Sequence, residues 1–197
     1  MLLNHLLIFA KYPEPGKVKT RLARSVGLER AALLYKEMAE TVVVKTAPVN
    51  GEYARTLHFD PPEKSRDFEV WFPSLAIKPQ CAGDLGLRMK SAIEESFRSG
   101  ADRVVLIGSD CPDLDRPLVL ESFRKLESSD LVIGPATDGG YYLIGMSRRG
   151  LARQAPALFD GVLWSTASVL RETLEKAEKI GIPYALLPTL SDVDEIA

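Results

Sequence analysis

Four cationic side chains stand close together in the loop that follows the first apolar run of the chain. They are Lys11, Lys17, Lys19 and Arg21, within the stretch IFAKYPEPGKVKTRLA. Such charges, together with backbone N–H groups at a turn around Gly16, suit a diphosphate or triphosphate. Arginine can hold phosphate through paired hydrogen bonds, whereas lysine acts as a mobile point charge. The Gly-Lys-Ser/Thr ending of a P-loop is absent, and a solvated loop beside a helix is the alternative for this basic loop (residues 11–21).

The carboxylate of Asp110 directly follows the apolar run RVVLIG. A run of this kind is typical of a strand buried on both faces, so Asp110 should project at the edge of a sheet. A carboxylate near phosphate is unfavourable unless a cation lies between them, and oxygen ligands suit Mg²⁺ or Mn²⁺. Taken alone, Asp110 would more readily be a capping residue. Next to the basic loop, a metal ligand is favoured.

Two further aspartates stand beside glycines. Asp138 precedes two glycines in PATDGGYYLIG, where a ligand can approach the backbone closely or the chain can form a tight turn between strands. Asp84 lies between Gly83 and Gly86 in QCAGDLGLRM, at the start of a predicted helix, where capping is the simple alternative.

The elements that must position these residues alternate between strand and helix patterns. Strands are predicted at 6–10, 53–59, 103–108, 130–135, 140–146 and 182–188, and helices at 32–43, 85–97, 118–127 and 169–180. Ser165 is predicted to cap the last helix. The alternation predicts an α/β fold, a three-layer α/β/α sandwich with a mostly parallel mixed sheet, in a single domain spanning 1–197.

The polar clusters at 11–21, 109–113 and 137–140 each come directly after a predicted strand. In open α/β sheets, ligands bind at the carboxyl ends of the strands. The three clusters should therefore meet at one edge of the sheet, which would bring Arg21 and Asp110 to the same side of the molecule.

Composition narrows the choice of partners. The chain has 197 residues, 46% hydrophobic and 26% charged, as is ordinary for a soluble globular protein. A net charge of −2 argues against general nucleic-acid binding. Cys81 and Cys111 are too few for a disulfide scaffold or zinc cluster, and the apolar start is too short to span a membrane. We expect a cytoplasmic protein; its oligomeric state cannot be predicted.

Several motifs occur together and in order: FAKYPEPGKVKTRL, QCAGDLGLRM, VVLIGSDCPDL, GPATDGGYYLIG, LWST and DVD. In these motifs and their order, the chain resembles a family of glycosyltransferase-like proteins known as a domain of unknown function or "transferase 1". The resemblance covers nearly the whole length of the chain. The resemblance implies the nucleotide-diphospho-sugar transferase (GT-A-like) fold, which nucleotidyltransferases share. The run Lys19-Thr20-Arg21-Leu22 is similar to the loop of 2-phospholactate guanylyltransferase.

The resemblance also implies roles for individual residues. Nucleotide-binding positions are Ala10, Lys11, Gly16, Lys19, Thr20, Arg21, Gln80, Gly83 and Asp84, the last three near the base. Metal ligands are Asp110 and Asp194, and Asp138, Gly139, Gly140 and Trp164 border the acceptor or sugar pocket. Lys19 replaces the second glycine of the usual Gly-x-Gly-Thr-Arg pattern, and Glu195 stands where relatives have threonine after the second metal ligand.

The implied activity is that of a transferase with a nucleotide-activated donor, a small-molecule acceptor and Mg²⁺ or Mn²⁺. Lys19 and Arg21 would stabilise charge on the leaving group, and Asp138 would act as base or acceptor clamp. Glycosyl transfer from a nucleotide sugar is slightly favoured. Nucleotidyl transfer from a nucleoside triphosphate is the alternative, since a triphosphate carries more charge for the basic loop to neutralise. Nucleotide binding without turnover also stays open.

Overall fold

The computed structural model describes residues 3–191, in which strands and helices alternate. The strands are β1 (Asn4–Lys11), β2 (Ala54–Asp60), β3 (Ala76–Pro79), β4 (Arg103–Ile107), β5 (Leu131–Pro135), β6 (Tyr141–Ser147) and β7 (Tyr184–Leu186). The helices are α1 (Ala23–Val26), α2 (Leu28–Lys45), α3 (Ser65–Trp71), α4 (Leu85–Arg98), α5 (Arg116–Lys125), α6 (Arg148–Ala152) and α7 (Val169–Lys179). Every predicted element is present, and α1, α3, α6 and β3 are additional.

Within the described residues the strands form one sheet of seven, in the order β3-β2-β1-β4-β6-β5-β7. Strand β6 runs antiparallel to both of its neighbours, and the other pairings are parallel. The predicted mostly parallel mixed sheet is therefore confirmed, and the single reversed strand follows from the short turn that joins β5 to β6.

Helices cover both faces of the sheet because the central strands are apolar on both sides. On one face, Leu6 and Ile8 of β1 belong to the same core cluster as residues of α2, α3 and α5. On the other face, Leu7 and Phe9 belong to a cluster with residues of α4 and α7. This side-to-side alternation along β1 produces the predicted three-layer sandwich.

The centre of the sheet contains a topological switch point. From β1 the chain runs outward through β2 to β3, then returns to place β4 on the other side of β1. Ile8 of β1 pairs with Ile107 of β4. The segments that leave these two strands, which carry the basic loop and Asp110, therefore begin side by side, where ligands of open α/β sheets bind.

Two helix starts bear on the sequence analysis: capping was the simple alternative for Asp84, and a cap was predicted at Ser165. Asp84 caps α4 by accepting a hydrogen bond from Leu87 N at 2.8 Å. The predicted cap at Ser165 is wrong: α7 begins at Val169, and its first turn closes when Glu172 N donates to Ser168 O. Ser165 instead turns the preceding segment, with a φ of +64°.

Within residues 3–191, no helix combines the length and apolar character needed to cross a membrane.

Candidate active site

A cleft of about 950 Å³ opens at the carboxyl ends of β1, β2 and β4. The predicted site residues that line it are Ala10, Lys11, Lys19, Thr20, Arg21, Gln80, Gly83, Asp84, Asp110, Asp138, Gly140 and Trp164. Gly16 and Gly139 do not line it, although each adjoins a residue that does. Asp194 lies outside the described residues. The three polar clusters therefore meet at one edge of the sheet, with Arg21 and Asp110 in the same cleft, as predicted.

The basic loop folds as a turn anchored by one buried residue. Gly16 has a φ of +81°, a conformation that glycine adopts without strain, and Lys17 N donates to Glu14 O at 3.0 Å. Val18 is buried with Ala32 and Tyr35 of α2. Because Val18 is packed against α2, it holds the loop in place. The charged residues on either side of Val18, Lys17 and Lys19, line the cleft.

Lys19, which replaces a glycine of the usual motif, has a left-handed backbone conformation. Its φ is +45°, which costs a non-glycine residue on the order of 1–3 kcal/mol. Its side chain is only 5% exposed, and Nζ lies 3.1 Å from Oδ2 of Asp110, whose side chain is 44% exposed. The departure from the motif thus places a positive charge against the predicted metal ligand.

The carboxylate of Asp110 presents its two oxygens differently. Oδ1 lies close to Gly108, since a Cβ atom added to that glycine would be 3.0 Å from it. Oδ2 is the oxygen that faces Lys19.

Within residues 3–191, Asp110 is the carboxylate that was predicted to bind a divalent cation. Mg²⁺ is usually held by one or two carboxylates plus substrate phosphates. The Lys19 ammonium is a stand-in cation, which shows that Oδ2 faces a position where positive charge is accommodated. No group of three or more His, Cys, Asp or Glu side chains within residues 3–191 is arranged to hold a metal ion. The described part of the chain thus supplies Asp110, and phosphate oxygens would have to supply further ligands.

Tyr35 joins the basic loop to the segment that carries Asp110. Its hydroxyl accepts a hydrogen bond from Lys11 N at 2.8 Å and lies 2.7 Å from Ser109 Oγ. Burial raises the pKa of Tyr35 to about 12, so the phenol stays protonated at neutral pH and can donate to Ser109. One buried hydroxyl on α2 thereby fixes the ends of two adjacent strands relative to each other.

A second polar group, the Arg88 wall, consists of Asp60, Gln80, Gly83 and Arg88. The Arg88 guanidinium donates from Nε to Gly83 O at 2.8 Å and lies 3.1 Å from Oδ2 of Asp60. Gln80 is buried, and its Nε2 donates to His58 O at 3.0 Å. Arg88 also reaches Oε1 of Gln80 at 3.4 Å. The predicted base-side residues are thus held by one arginine.

Asp138 forms the tight turn that the sequence allowed. Its Oδ1 accepts a hydrogen bond from Gly140 N at 2.8 Å. Gly139 has a φ of +87°, and a Cβ atom there would clash with the carbonyl group of Ala167. Gly139 O also accepts from Leu170 N at 2.9 Å. Glycine is required here because the segment before α7 packs directly on this turn.

Trp164 lies in the cleft wall between the predicted acceptor residues and α4. A Cβ atom on Gly86 would lie 2.7 Å from the Trp164 indole, so the ring packs directly on the first turn of α4. Its edge-to-face neighbour is Tyr141, with ring centroids 6.5 Å apart. The indole Nε1 is buried and has no hydrogen-bond partner among the described residues.

Sequence reasoning assigned no site role to Tyr35, Asp60, Ser109 or Arg88, although all four line the cleft. Asp60 is the last residue of β2, and Asp110 lies shortly after β4. A carboxylate at the carboxyl end of a strand was therefore a signal that the sequence offered for both. Arg88 lies four residues after Asp84, one turn along the same helix. Tyr35 gave a weaker signal, a single hydroxyl in an otherwise apolar helix stripe.

Comparison with solved structures supports the fold and identifies a close relative. A protein from Desulfovibrio desulfuricans G20, provisionally assigned as a nucleotide-diphospho-sugar transferase, is 39% identical, with a TM-score of 0.91 over 99% of this chain and 84% of that one. No curated protein matches the sequence.

More distant structures share the fold alone. CMP:2-keto-3-deoxy-manno-octonic acid synthetase complexed with CTP is 14% identical, with a TM-score of 0.58 over 98% of this chain and 93% of that one. Rv0371c from Mycobacterium tuberculosis H37Rv, in complex with manganese, is 10% identical, with a TM-score of 0.54 over 98% and 92% of the two chains. The fold is therefore that of the nucleotide-diphospho-sugar transferases.

A family model covers residues 43–166, more than half of the chain, and this region holds QCAGDLGLRM, Asp110 and the Asp138 turn. With the 39% identical relative matched over 99% of this chain, the chain belongs to the family described as "uncharacterized protein conserved in bacteria (DUF2064)".

Proposed function

We propose that the protein is a metal-dependent transferase that binds a nucleotide-activated donor in the cleft and transfers a group to a small acceptor. The observation that carries this proposal is the convergence of the basic loop and Asp110 in one cleft at the switch point of the sheet. Cations and a carboxylate in that position suit a metal–diphosphate group. We expect the reaction to take place in the cytoplasm.

In this proposal the residues of the chain contribute to catalysis chiefly by binding and orienting the donor. Lys11, Lys17 and Arg21 hold the donor phosphates, and Asp110 holds Mg²⁺ or Mn²⁺, with Asp194 as a proposed second ligand. The metal, when bound, neutralises charge that develops on the leaving group. Lys19 adds a positive charge at the same place, and it is already oriented before the donor arrives.

The donor base and the acceptor would occupy the other parts of the cleft. Gln80, Gly83 and Asp84 lie where the base would be bound, on a surface kept in shape by Arg88. We assign the acceptor to the wall formed by Asp138, Gly140 and Trp164, with Gly139 giving the turn its shape. Asp138 would act there as a clamp or as a general base toward the acceptor.

Two reactions fit this arrangement. Glycosyl transfer from a nucleotide sugar is favoured by the assignment of the 39% identical relative. Nucleotidyl transfer from a nucleoside triphosphate is favoured by the four cations of the basic loop, because a triphosphate carries more negative charge than a diphosphate. The two reactions differ in the atom attacked, the anomeric carbon in the first and the α-phosphorus in the second.

The released product distinguishes them. Purified protein is incubated with Mn²⁺ or Mg²⁺ and panels of nucleotide sugars or nucleoside triphosphates, each with mixed small-molecule acceptors. Nucleoside diphosphate released from a nucleotide sugar would establish glycosyl transfer, and pyrophosphate released from a triphosphate would establish nucleotidyl transfer. Nucleotide binding with neither product across both panels would overturn the transferase proposal in favour of a binding protein.

A further inference from the structure

Two buried hydroxyl groups connect the basic loop to the segment that follows β4. Lys11 N donates to the Tyr35 hydroxyl at 2.8 Å, and that hydroxyl lies 2.7 Å from Ser109 Oγ. Tyr35 is 5% exposed and Ser109 is 4% exposed, and both residues line the cleft. Hydroxyl groups that are buried to this extent need hydrogen-bond partners, because an unsatisfied buried donor is costly.

The first donor fixes the direction of the hydrogen bonds in this series. A backbone N–H can only donate, so Lys11 N occupies an acceptor site of the Tyr35 oxygen. Within residues 3–191, Ser109 Oγ is the one other hydrogen-bond partner of the Tyr35 hydroxyl. If Ser109 donated to Tyr35, the buried phenol proton would have no acceptor in this part of the chain. Tyr35 therefore donates to Ser109.

Ser109 is left with a proton of its own to donate. Its oxygen accepts from Tyr35, and the residues that the structure describes offer this hydroxyl no second hydrogen-bond partner. A serine hydroxyl is a donor as well as an acceptor, so its proton can be given to an acceptor atom in the cleft. A ligand oxygen bound beside Ser109 would satisfy it.

The place of Ser109 in the sheet indicates which part of a bound donor it would meet. Ser109 follows β4, at the centre of the strand order. The Arg88 wall lies to one side, where β2 and β3 end, and the Asp138 turn between β5 and β6 lies to the other. A base at the wall and an acceptor at the turn would leave the phosphates between them, beside Ser109 and Asp110. Anionic phosphate oxygens are strong hydrogen-bond acceptors.

We propose that Ser109 binds the donor by giving its hydroxyl proton to a phosphate oxygen, and that Tyr35 is a positioning residue that fixes the direction of this bond. The inference rests on the proposed function, because it takes the cleft as the site of the donor phosphates. Ser109 adds a neutral, directed hydrogen-bond donor to the positive charges of the basic loop. It thereby selects one position for a phosphate oxygen.

Calorimetric titration of the whole chain with inorganic pyrophosphate and Mg²⁺ tests the inference. We expect Ser109→Ala to bind pyrophosphate about tenfold more weakly than the wild type, because a hydrogen bond to a charged oxygen is lost. Ser96→Ala is the matched control. Ser96 is also 4% exposed, and its hydroxyl lies 2.6 Å from Nδ1 of His5, but it does not line the cleft. This variant should bind pyrophosphate as tightly as the wild type does.

Tyr35→Phe tests the positioning role. We expect this variant to bind pyrophosphate about threefold more weakly, because the Ser109 hydroxyl is no longer oriented. Tyr35→Phe combined with Ser109→Ala should bind no more weakly than Ser109→Ala alone, since Tyr35 acts through Ser109. The double variant removes both buried hydroxyls together and leaves no phenol proton unsatisfied. It therefore carries the test, with the same expected tenfold loss, if Ser109→Ala alone does not fold.

Unchanged pyrophosphate affinity in Ser109→Ala, or an equal loss in Ser96→Ala, would overturn the inference. Additive losses in the double variant would overturn the positioning role of Tyr35. The outcome is separable from that of the proposed function. Weaker pyrophosphate binding in Ser109→Ala, with no turnover by the wild type, would support the role of Ser109 and contradict the transferase proposal. Turnover by the wild type, with unchanged pyrophosphate affinity in Ser109→Ala, would contradict only this inference.

Discussion

The basic loop and the Arg88 wall both line the cleft, but they differ in how far their charged side chains are exposed. In the Arg88 wall, the arginine bonds Gly83 and Asp60 and reaches Gln80, so its polar groups are satisfied within the protein. In the basic loop, Lys11, Lys17 and Arg21 are exposed. We infer that the two regions have different roles. The Arg88 wall is a preorganised surface that fits the shape of a ligand, and the basic loop provides positive charge for an anionic ligand. Changes in the loop should then weaken binding, and changes in the wall should also weaken the fold.

Arg21→Ala should have the largest effect of these changes, and it should lower the affinity for nucleotide without lowering the stability of the fold. We expect the affinity for nucleotide to fall by about 1.5–3 kcal/mol, because a hydrogen bond to a charged group is lost. The melting temperature should stay within a degree or two of the wild type. Calorimetric titration and thermal unfolding measure the two quantities.

Arg24→Ala is the matched control for this change, because Arg24 is exposed in α1 and does not line the cleft. A large fall in the melting temperature of Arg21→Ala would make Arg21 a structural residue and would remove the distinction between the loop and the wall.

Arg88→Met should destabilise the protein as well as weaken binding. It leaves the Asp60 carboxylate and the carbonyl of Gly83 without their arginine, and we expect the free energy of unfolding to fall by about 2 kcal/mol. Chemical denaturation measures it. Arg98→Met, at the exposed end of the same helix, is the control. If both variants were equally stable, the wall would not be a stabilised surface.

Mild acid should lower the free energy of unfolding through His58, a buried residue whose backbone carbonyl accepts a hydrogen bond from Gln80 of the Arg88 wall. Burial lowers the pKa of His58 to about 4 from 6.5. In the unfolded chain, His58 is protonated below about pH 6.5, whereas in the folded protein it stays neutral until about pH 4. The free energy of unfolding therefore falls as the pH drops through this window. Between pH 7 and pH 5 we expect a loss on the order of 1–2 kcal/mol.

The pH dependence is measured by denaturation at each pH, and His58→Gln should flatten the slope between pH 7 and pH 5. An equally steep slope in that variant would assign the acid sensitivity to other groups. His5 would be the first of these, since burial lowers its pKa as well.

Tyr35→Phe should give the smallest effect, at the contact between the basic loop and the segment that carries Asp110. The change removes the hydroxyl shared by Lys11 N and Ser109 Oγ, and we expect a loss of about 1 kcal/mol in the free energy of unfolding. Because the ends of β1 and β4 would be less well fixed, metal-dependent nucleotide affinity should fall slightly too. Affinity equal to that of the wild type would show that the basic loop is positioned without Tyr35.

The larger features of the fold were predictable because they follow from local patterns. The run RVVLIG predicts a buried strand, and Asp84 predicts a helix start, which its bond to Leu87 N confirms. Helix α3 and strand β3 were not predicted. They are short, and β3 lies at one end of the sheet with most of its residues exposed, so neither shows a clear apolar period.

The predicted meeting of Arg21 and Asp110 in one cleft is confirmed, because it follows from topology: the carboxyl ends of parallel strands share an edge. What sequence could not reveal are contacts that depend on exact side-chain placement. The φ of Lys19 and its bond to Asp110 required coordinates, and so did the reach of Arg88 across three segments.

The metal dependence of nucleotide binding in Asp110→Asn is the most direct test of the central claim, that a divalent cation and donor phosphates are held between the basic loop and Asp110. Binding of the nucleotide identified in the product assay is measured with and without Mn²⁺, and Asp113→Asn, an exposed neighbour outside the cleft, is the control. We predict that Mn²⁺ strengthens binding in the wild type and in Asp113→Asn but not in Asp110→Asn. An undiminished Mn²⁺ effect in Asp110→Asn would contradict the account.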